Sequence, residues 1–242
     1  ADGLLTWDAI RPKVRPLGPH WAPTGAISIE NTHNMAGGTV YEQEAIDEIC
    51  DGAHERGLRV HMDGARVFNA SAAAGRPVSG IVAKVDTVMF CLSKALGAPA
   101  GSMLAGTAEQ IARGRLLRKR LGGGMRQAGV LAAAGLLALE QSPEGLPEDH
   151  RNARYLAEGL AEIRGIMIDP AAVRTNIAIF DVSGTGIAPA DFSARLKARG
   201  VLINAIDDRR MRAVTHYDVD RAACETALRV IAETAAARAQ SA

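Results

Sequence analysis

At 242 residues, with 48% hydrophobic and 23% charged residues, the chain is long enough for one large domain, or a large and a small one, around a sizeable core. A formal net charge of +1 supplies no field that would steer nucleic acid or an acidic surface, so nucleic-acid binding is not expected. The three cysteines, Cys50, Cys91 and Cys224, are too widely spaced for a disulfide framework or a metal site and suit a reducing, cytoplasmic compartment.

In chain order, Ala26 to Glu30 reads as a short strand. Tyr41 to Gly57 reads as a helix, because Ile46, Ile49, Cys50 and Ala53 follow the three-four spacing and Gly57 suits the left-handed position beyond a helix end. Leu58 to Met62 is a strand, Val78 to Val85 a short helix, Thr87 to Cys91 a strand and Gly101 to Ala105 another. A basic helix follows from Ala108 to Leu121; such a charge run is ordinarily a solvated face, with a subunit contact or a phosphate neighbour as the alternative. The apolar run Ala128 to Leu139 is too short and too rich in Ala and Gly to span a bilayer, and reads as a buried or subunit-contact helix, so no membrane partner is expected.

The pattern breaks at Gln141 to Pro147. Beyond it come a helix (Glu148 to Ile163), strands near Ile166 to Ile168 and Asn176 to Val182, and a helix (Pro189 to Arg199). Strands near Val201 to Ile203 and Met211 to Thr215 and a final helix (Val219 to Arg238) complete the chain. The alternation predicts an α/β fold with a mostly parallel sheet and helical crossovers over residues 1–145, and a smaller C-terminal α/β domain over 146–242. A site is expected between the two.

Two strand ends carry charge. The apolar strand before Lys94 runs into Ser93-Lys94 and a turn of small residues, and the strand Leu58 to Met62 runs into Asp63-Gly64-Ala65-Arg66, with 31 residues separating Asp63 from Lys94. Strand, carboxylate, helix, strand, lysine fits two neighbouring parallel strands, whose carboxyl ends are where such sheets bind ligands. A lysine at a buried strand end favours its neutral, nucleophilic form, which forms a Schiff base with an aldehyde. A carboxylate beside it could hold a protonated pyridine nitrogen, the pair of groups that pyridoxal phosphate requires. Taken singly, Asp63 reads equally as a turn or helix-cap residue and Lys94 as a surface lysine.

The chain resembles the L-threonine aldolases, pyridoxal-phosphate enzymes of fold type I in the β-eliminating lyase group. The resemblance is carried by Glu30-Asn31-Thr32-His33-Asn34 with Gly37-Gly38-Thr39-Val40, by His61 to Ala70, and by Leu92-Ser93-Lys94 through Ser102. Gly122-Gly123-Gly124-Met125-Arg126-Gln127 and Val201 to Asn204 with Arg212 to His216 extend it, in the family's order, from about Gly3 to near the C-terminus. It implies an aspartate-aminotransferase-like large domain and a homo-oligomer, dimer or tetramer. The implied activity cleaves threonine, allo-threonine and related β-hydroxy-α-amino acids to glycine and an aldehyde.

By the same resemblance, Lys94 bears the cofactor and Asp63 holds its ring nitrogen. Arg66 and Arg212 hold the substrate carboxylate, Arg66 also reaching the cofactor. His33 contacts the substrate hydroxyl and helps remove its proton, and Arg126 reaches a cofactor phosphate across a subunit interface. His61 is read as structural, and no metal is implied. The family's N-terminal segment, with its phosphate-cradling loop, is expected to be missing from these residues. Two alternatives stay open: another pyridoxal-phosphate lyase or racemase of this fold, and a non-catalytic fragment that needs that segment.

Overall fold

The computed structural model describes residues 3–237. They form two compact units, one of residues 3–32 with 40–144, the other of residues 33–39 with 145 onward.

The first unit contains α1 (Trp7–Ile10), β1 (Ala26–Glu30), α2 (Gln43–His54), β2 (Arg59–Asp63), α3 (Val67–Ala74) and α4 (Val78–Ile81). It continues through β3 (Thr87–Cys91), β4 (Ser102–Gly106), α5 (Ala108–Arg120) and α6 (Gly129–Gln141). Its sheet has the order β1-β2-β3-β4, with β1, β2 and β3 parallel and β4 antiparallel to β3. The α/β, mostly parallel reading is therefore the observed one, and β4 departs from it because the short connection 92–101 folds back as a turn where a parallel neighbour would need a crossover.

The amphipathic face of α2 does what its spacing foretells: Ile46, Ile49, Cys50 and Ala53 are all buried against Ile27, Ile29, Val60 and Met62 of the sheet. Gly52 lets Trp7 lie on this helix, since a Cβ there would come within 2.2 Å of the indole ring. The helix starts later than expected because Glu42 is extended and the Tyr41 amide is held by Asn31 Oδ1 at 3.4 Å. The helix expected over Val78 to Val85 covers only α4.

α5 begins with a full capping box between Thr107 and Gln110. It has no buried residue. α6 is a correction to the buried-helix alternative: only Gly135 and Ala138 are buried, while Val130 and Leu136 are 73% and 61% exposed. No helix among the described residues is long and apolar enough to cross a membrane.

The second unit packs α7 (Leu146–Ala161), α8 (Pro189–Lys197) and α9 (Arg221–Ala236) with a three-stranded antiparallel sheet of β5 (Ile177–Asp181), β6 (Asn204–Ala205) and β7 (Arg210–Val214), in the order β5-β7-β6. Two expected strands are reduced. Met167 pairs with Asp181 through an isolated bridge only. Val201 to Ile203 is tied to α8 instead of a ladder: the Val201 amide donates to Leu196 O at 3.0 Å and Ser193 Oγ to Ile203 O at 2.6 Å. The expected end of the last helix, Arg238, lies outside the described residues.

Candidate active site

The first cluster of expected residues lies at the carboxyl end of the parallel strands. Asp63 is the last residue of β2, paired in register with Glu30 of β1 and Met89 of β3. The turn after it is pressed onto β3, with the Gly64 amide donating to Met89 O at 2.8 Å. A Cβ on Gly64 would stand 2.9 Å from that same oxygen, so the close approach requires glycine. Asp63 Oδ1 accepts from the Ala65 amide at 3.0 Å, the turn role that the residue type alone suggests. Its Oδ2 makes no hydrogen bond among the described residues, leaving one oxygen of a half-buried carboxylate for something else.

Next to it, at the end of β1, the Asn31 amide donates to Asp63 O at 2.9 Å. Asn31 Nδ2 and Thr32 Oγ1 are buried without a hydrogen-bond partner among the described residues. Buried polar atoms are normally satisfied, and orphans beside a carboxylate at a sheet's carboxyl end mark where a polar ligand fits. The donor and acceptor set suits a protonated ring nitrogen with neighbouring polar substituents, so these residues fit pyridoxal phosphate.

Lys94 follows β3 in a bend closed on both sides. The Leu92 amide donates to Gly101 O, the Ala98 amide to Leu92 O and the Gly97 amide to Lys94 O, each at 2.9 Å. Leu92, Leu96 and Ala98 bury themselves with Ala138 beneath it, and Ser142 Oγ ties Leu96 O at 2.6 Å. The backbone is thus fixed, while the side chain is exposed and its ammonium meets no acceptor among the described residues. The expectation of a buried amine is corrected here: anchoring comes from the turn, and the Nζ is left outside it.

Arg66 occupies the N-cap position of α3 and is half-buried. Arg126 is exposed in the bend between α5 and α6 and makes no bond among the described residues. His61 has the structural part expected of it, its Nδ1 lying 2.8 Å from Thr87 Oγ1 across the β2–β3 ladder.

His33 and Arg212 belong to the other unit. His33 opens a tight loop closed by its own amide to Thr39 O at 3.0 Å and by the Gly38 amide to His33 O at 2.9 Å. Arg212 sits on the central strand β7 between the buried Met211 and Ala213, so alternation turns it away from that unit's core. Its Nη1 donates to Asn34 Oδ1 at 3.0 Å. The sequence reading carried Asn34 only as part of a motif; nothing in residue type or spacing reveals a partner 178 positions away.

It also gave no role to Asp149 and His150. Burial lifts the Asp149 carboxyl to about 6, with His216 pulling it down and Glu148 pushing it up. Burial alone drives the His150 imidazole down to about 4.

A carboxylate and a lysine follow adjacent strand ends beside buried polar atoms unsatisfied among the described residues, the position at which α/β sheets bind small molecules. The comparisons give the chain its family. The profile of the Beta-eliminating lyase family matches residues 1–183. The chain is 40% identical over 221 residues to low-specificity L-threonine aldolase 1 of Arabidopsis thaliana, covering 90% of this chain and 62% of that protein. It is 42% identical over 221 residues to the low specificity L-threonine aldolase of Escherichia coli K12, covering 91% of this chain and 63% of that protein. The fold is shared with a Leishmania major threonine aldolase structure, at a TM-score of 0.77 and 21% identity, over 97% of this chain and 68% of that one. The chain belongs to the Beta-eliminating lyase family. It spans 62% and 63% of the lengths of these two relatives.

Proposed function

We propose that this chain serves a pyridoxal-phosphate-dependent aldolase that cleaves L-threonine, allo-threonine and related β-hydroxy-α-amino acids to glycine and an aldehyde. The observation that carries the reading is the pair of adjacent parallel strand ends, Asp63 with an Oδ2 that makes no hydrogen bond among the described residues and Lys94 on a fixed turn. Its similarity to the two aldolases supports the same reaction.

Lys94 would hold the cofactor covalently and Asp63 its ring nitrogen, with Arg66 and Arg126 as cations toward its phosphate or the substrate carboxylate. When bound, the cofactor supplies an electron sink for the pair left at the substrate Cα. The protein's part is orientation and proton handling. Asp63 Oδ2 keeps the ring nitrogen protonated. Arg212 grips the substrate carboxylate with a planar fork of donors, which fixes which bond at Cα lies in the reactive direction. His33 holds the β-hydroxyl and takes its proton as the Cα–Cβ bond breaks, the work of a positioned general base. The protein is proposed to act in the cytoplasm as a homo-oligomer; the exposed leucines of α6 support a subunit contact there.

Borohydride reduction of the cofactor-loaded protein followed by peptide mapping should label Lys94, and threonine should yield glycine and acetaldehyde. A label on Lys84 or Lys119, or pyruvate and ammonia as products, would sink this assignment. Asp63→Asn should keep the turn, because Oδ1 can still accept from Ala65, yet lose most turnover while binding some cofactor.

A further inference from the structure

We propose that Asn34 is a positioning residue for Arg212, setting the guanidinium for a carboxylate without consuming its charge. The proposal rests on the reading that Arg212 binds the substrate carboxylate.

The Cα of Arg212 is fixed from both sides, opposite Ile179 of β5 and Asn204 of β6. The guanidinium is not fixed by that, because it ends a long rotatable stem. Its hydrogen bonds among the described residues are to Asn34 Oδ1 at 3.0 Å and, weakly, to Met35 Sδ at 4.0 Å. A guanidinium has five N–H donors, so one strong bond through Nη1 leaves the Nε and Nη2 edge open for a bidentate ligand. The partner is a neutral amide oxygen. A carboxylate in its place would orient the group but neutralise it, and would compete with the ligand.

Asn34 is itself held. It starts the turn Asn34–Ala36, inside the loop that His33 and Thr39 close. That loop is stapled to the rest of its own unit by the fully buried Thr175, whose Oγ1 donates to Gly38 O at 2.8 Å. A Cβ on Gly38 would lie 2.1 Å from Thr175 Oγ1, and the residue has φ of +76°, so both space and backbone demand glycine. Thr175 leads into β5, and β5 pairs with β7. The path from β5 through Thr175, Gly38, Asn34 and Arg212 back to β7 is closed. A segment distant in sequence from β7 thereby sets the direction of its arginine.

The test compares glycine with ethanolamine, which replaces the carboxylate by hydroxymethyl, in equilibrium binding to the cofactor-loaded intact protein. Glycine has no Cα–Cβ bond to cleave, and an assay for formaldehyde confirms that ethanolamine is not turned over, so affinity is read without turnover. Arg212→Ala should erase the preference for glycine. Asn34→Ala should lower that preference about fivefold, and Asn34→Asp more than about tenfold, the size of losing or countering a charge-assisted hydrogen bond. Ethanolamine affinity should stay unchanged in both Asn34 variants. A preserved preference in either variant, or an equal weakening of both ligands, would overturn the positioning role. If Arg212→Ala itself keeps the preference, the assignment of Arg212 fails first and this inference fails with it.

Discussion

Within the first unit, the β1–β3 side and the β4–α6 side are built on opposite terms. On the first, β1 and β2 alternate buried with more open residues, and α2 closes a core in which Ile49, Cys50, Ala53, Val60 and Met62 are fully buried. On the second, all five residues of β4 are exposed, α5 buries nothing, and α6 buries only Gly135 and Ala138. β4 and α6 are apolar in sequence too, unlike the basic α5; Met103, Leu104, Leu131 and Leu137 stand open all the same. Hydrophobic content therefore measures how much surface needs cover, and packing within the chain decides how much receives it. The candidate residue Asp63 hangs from the well-packed side, while Lys94 lies where the two sides meet, its turn bonded to Gly101 O and packed on Ala138.

The contrast predicts a steep gradient of mutational cost. Ile49→Ala should destabilise by about 2–5 kcal/mol, because a fully buried side chain leaves a cavity that the sheet cannot refill. Denaturant unfolding would measure it, and a loss below that of an exposed substitution would show the α2 core to be loose. Gly64→Ala should cost roughly 1–3 kcal/mol, since its Cβ must displace β3 backbone. It should also disturb Asp63 directly, so cofactor binding should fall with stability.

Asp86→Asn should come next, at about 1–2 kcal/mol for weakened bonds to a charged acceptor. Asp86 ties the start of β3 to α2 and β2 through the Val60 amide at 2.8 Å, His54 Nε2 at 2.9 Å and Arg59 Nη1 at 2.7 Å. Burial pushes its carboxyl upward, and these three bonds together outweigh that and hold it below its ordinary value. A carboxyl lowered by folding stabilises the native state above the unfolded value, near 3.9, and that gain is lost as pH falls from there through the folded value. The wild-type advantage over the asparagine variant should therefore be present at pH 7 and shrink on acidification below about pH 4. A difference that stays constant with pH would remove the charge from the explanation. Smallest of all, Leu137→Ala should change the stability of the isolated chain by no more than about 0.5 kcal/mol, because the side chain is 53% exposed. A loss of core size there would mean that this face is covered in solution.

The sequence by itself determined the elements whose signal is local. The period of α2, the ends of β1 and β3, the span of α5 and the breaker before α7 all follow from residues within one turn or one strand of each other. It also placed Asp63 and Lys94 at strand ends, because a charge following an apolar run is visible in a short window. Only the tertiary structure decided that Val201 to Ile203 serves α8 instead of a ladder, that β4 runs antiparallel, and that α6 stays open. It alone joined Asn34 to Arg212 and left Asp63 Oδ2 and Thr32 Oγ1 without hydrogen-bond partners among the described residues. Those outcomes depend on which groups meet across long loops, and a hydrogen bond spanning 178 positions leaves no trace in local periodicity.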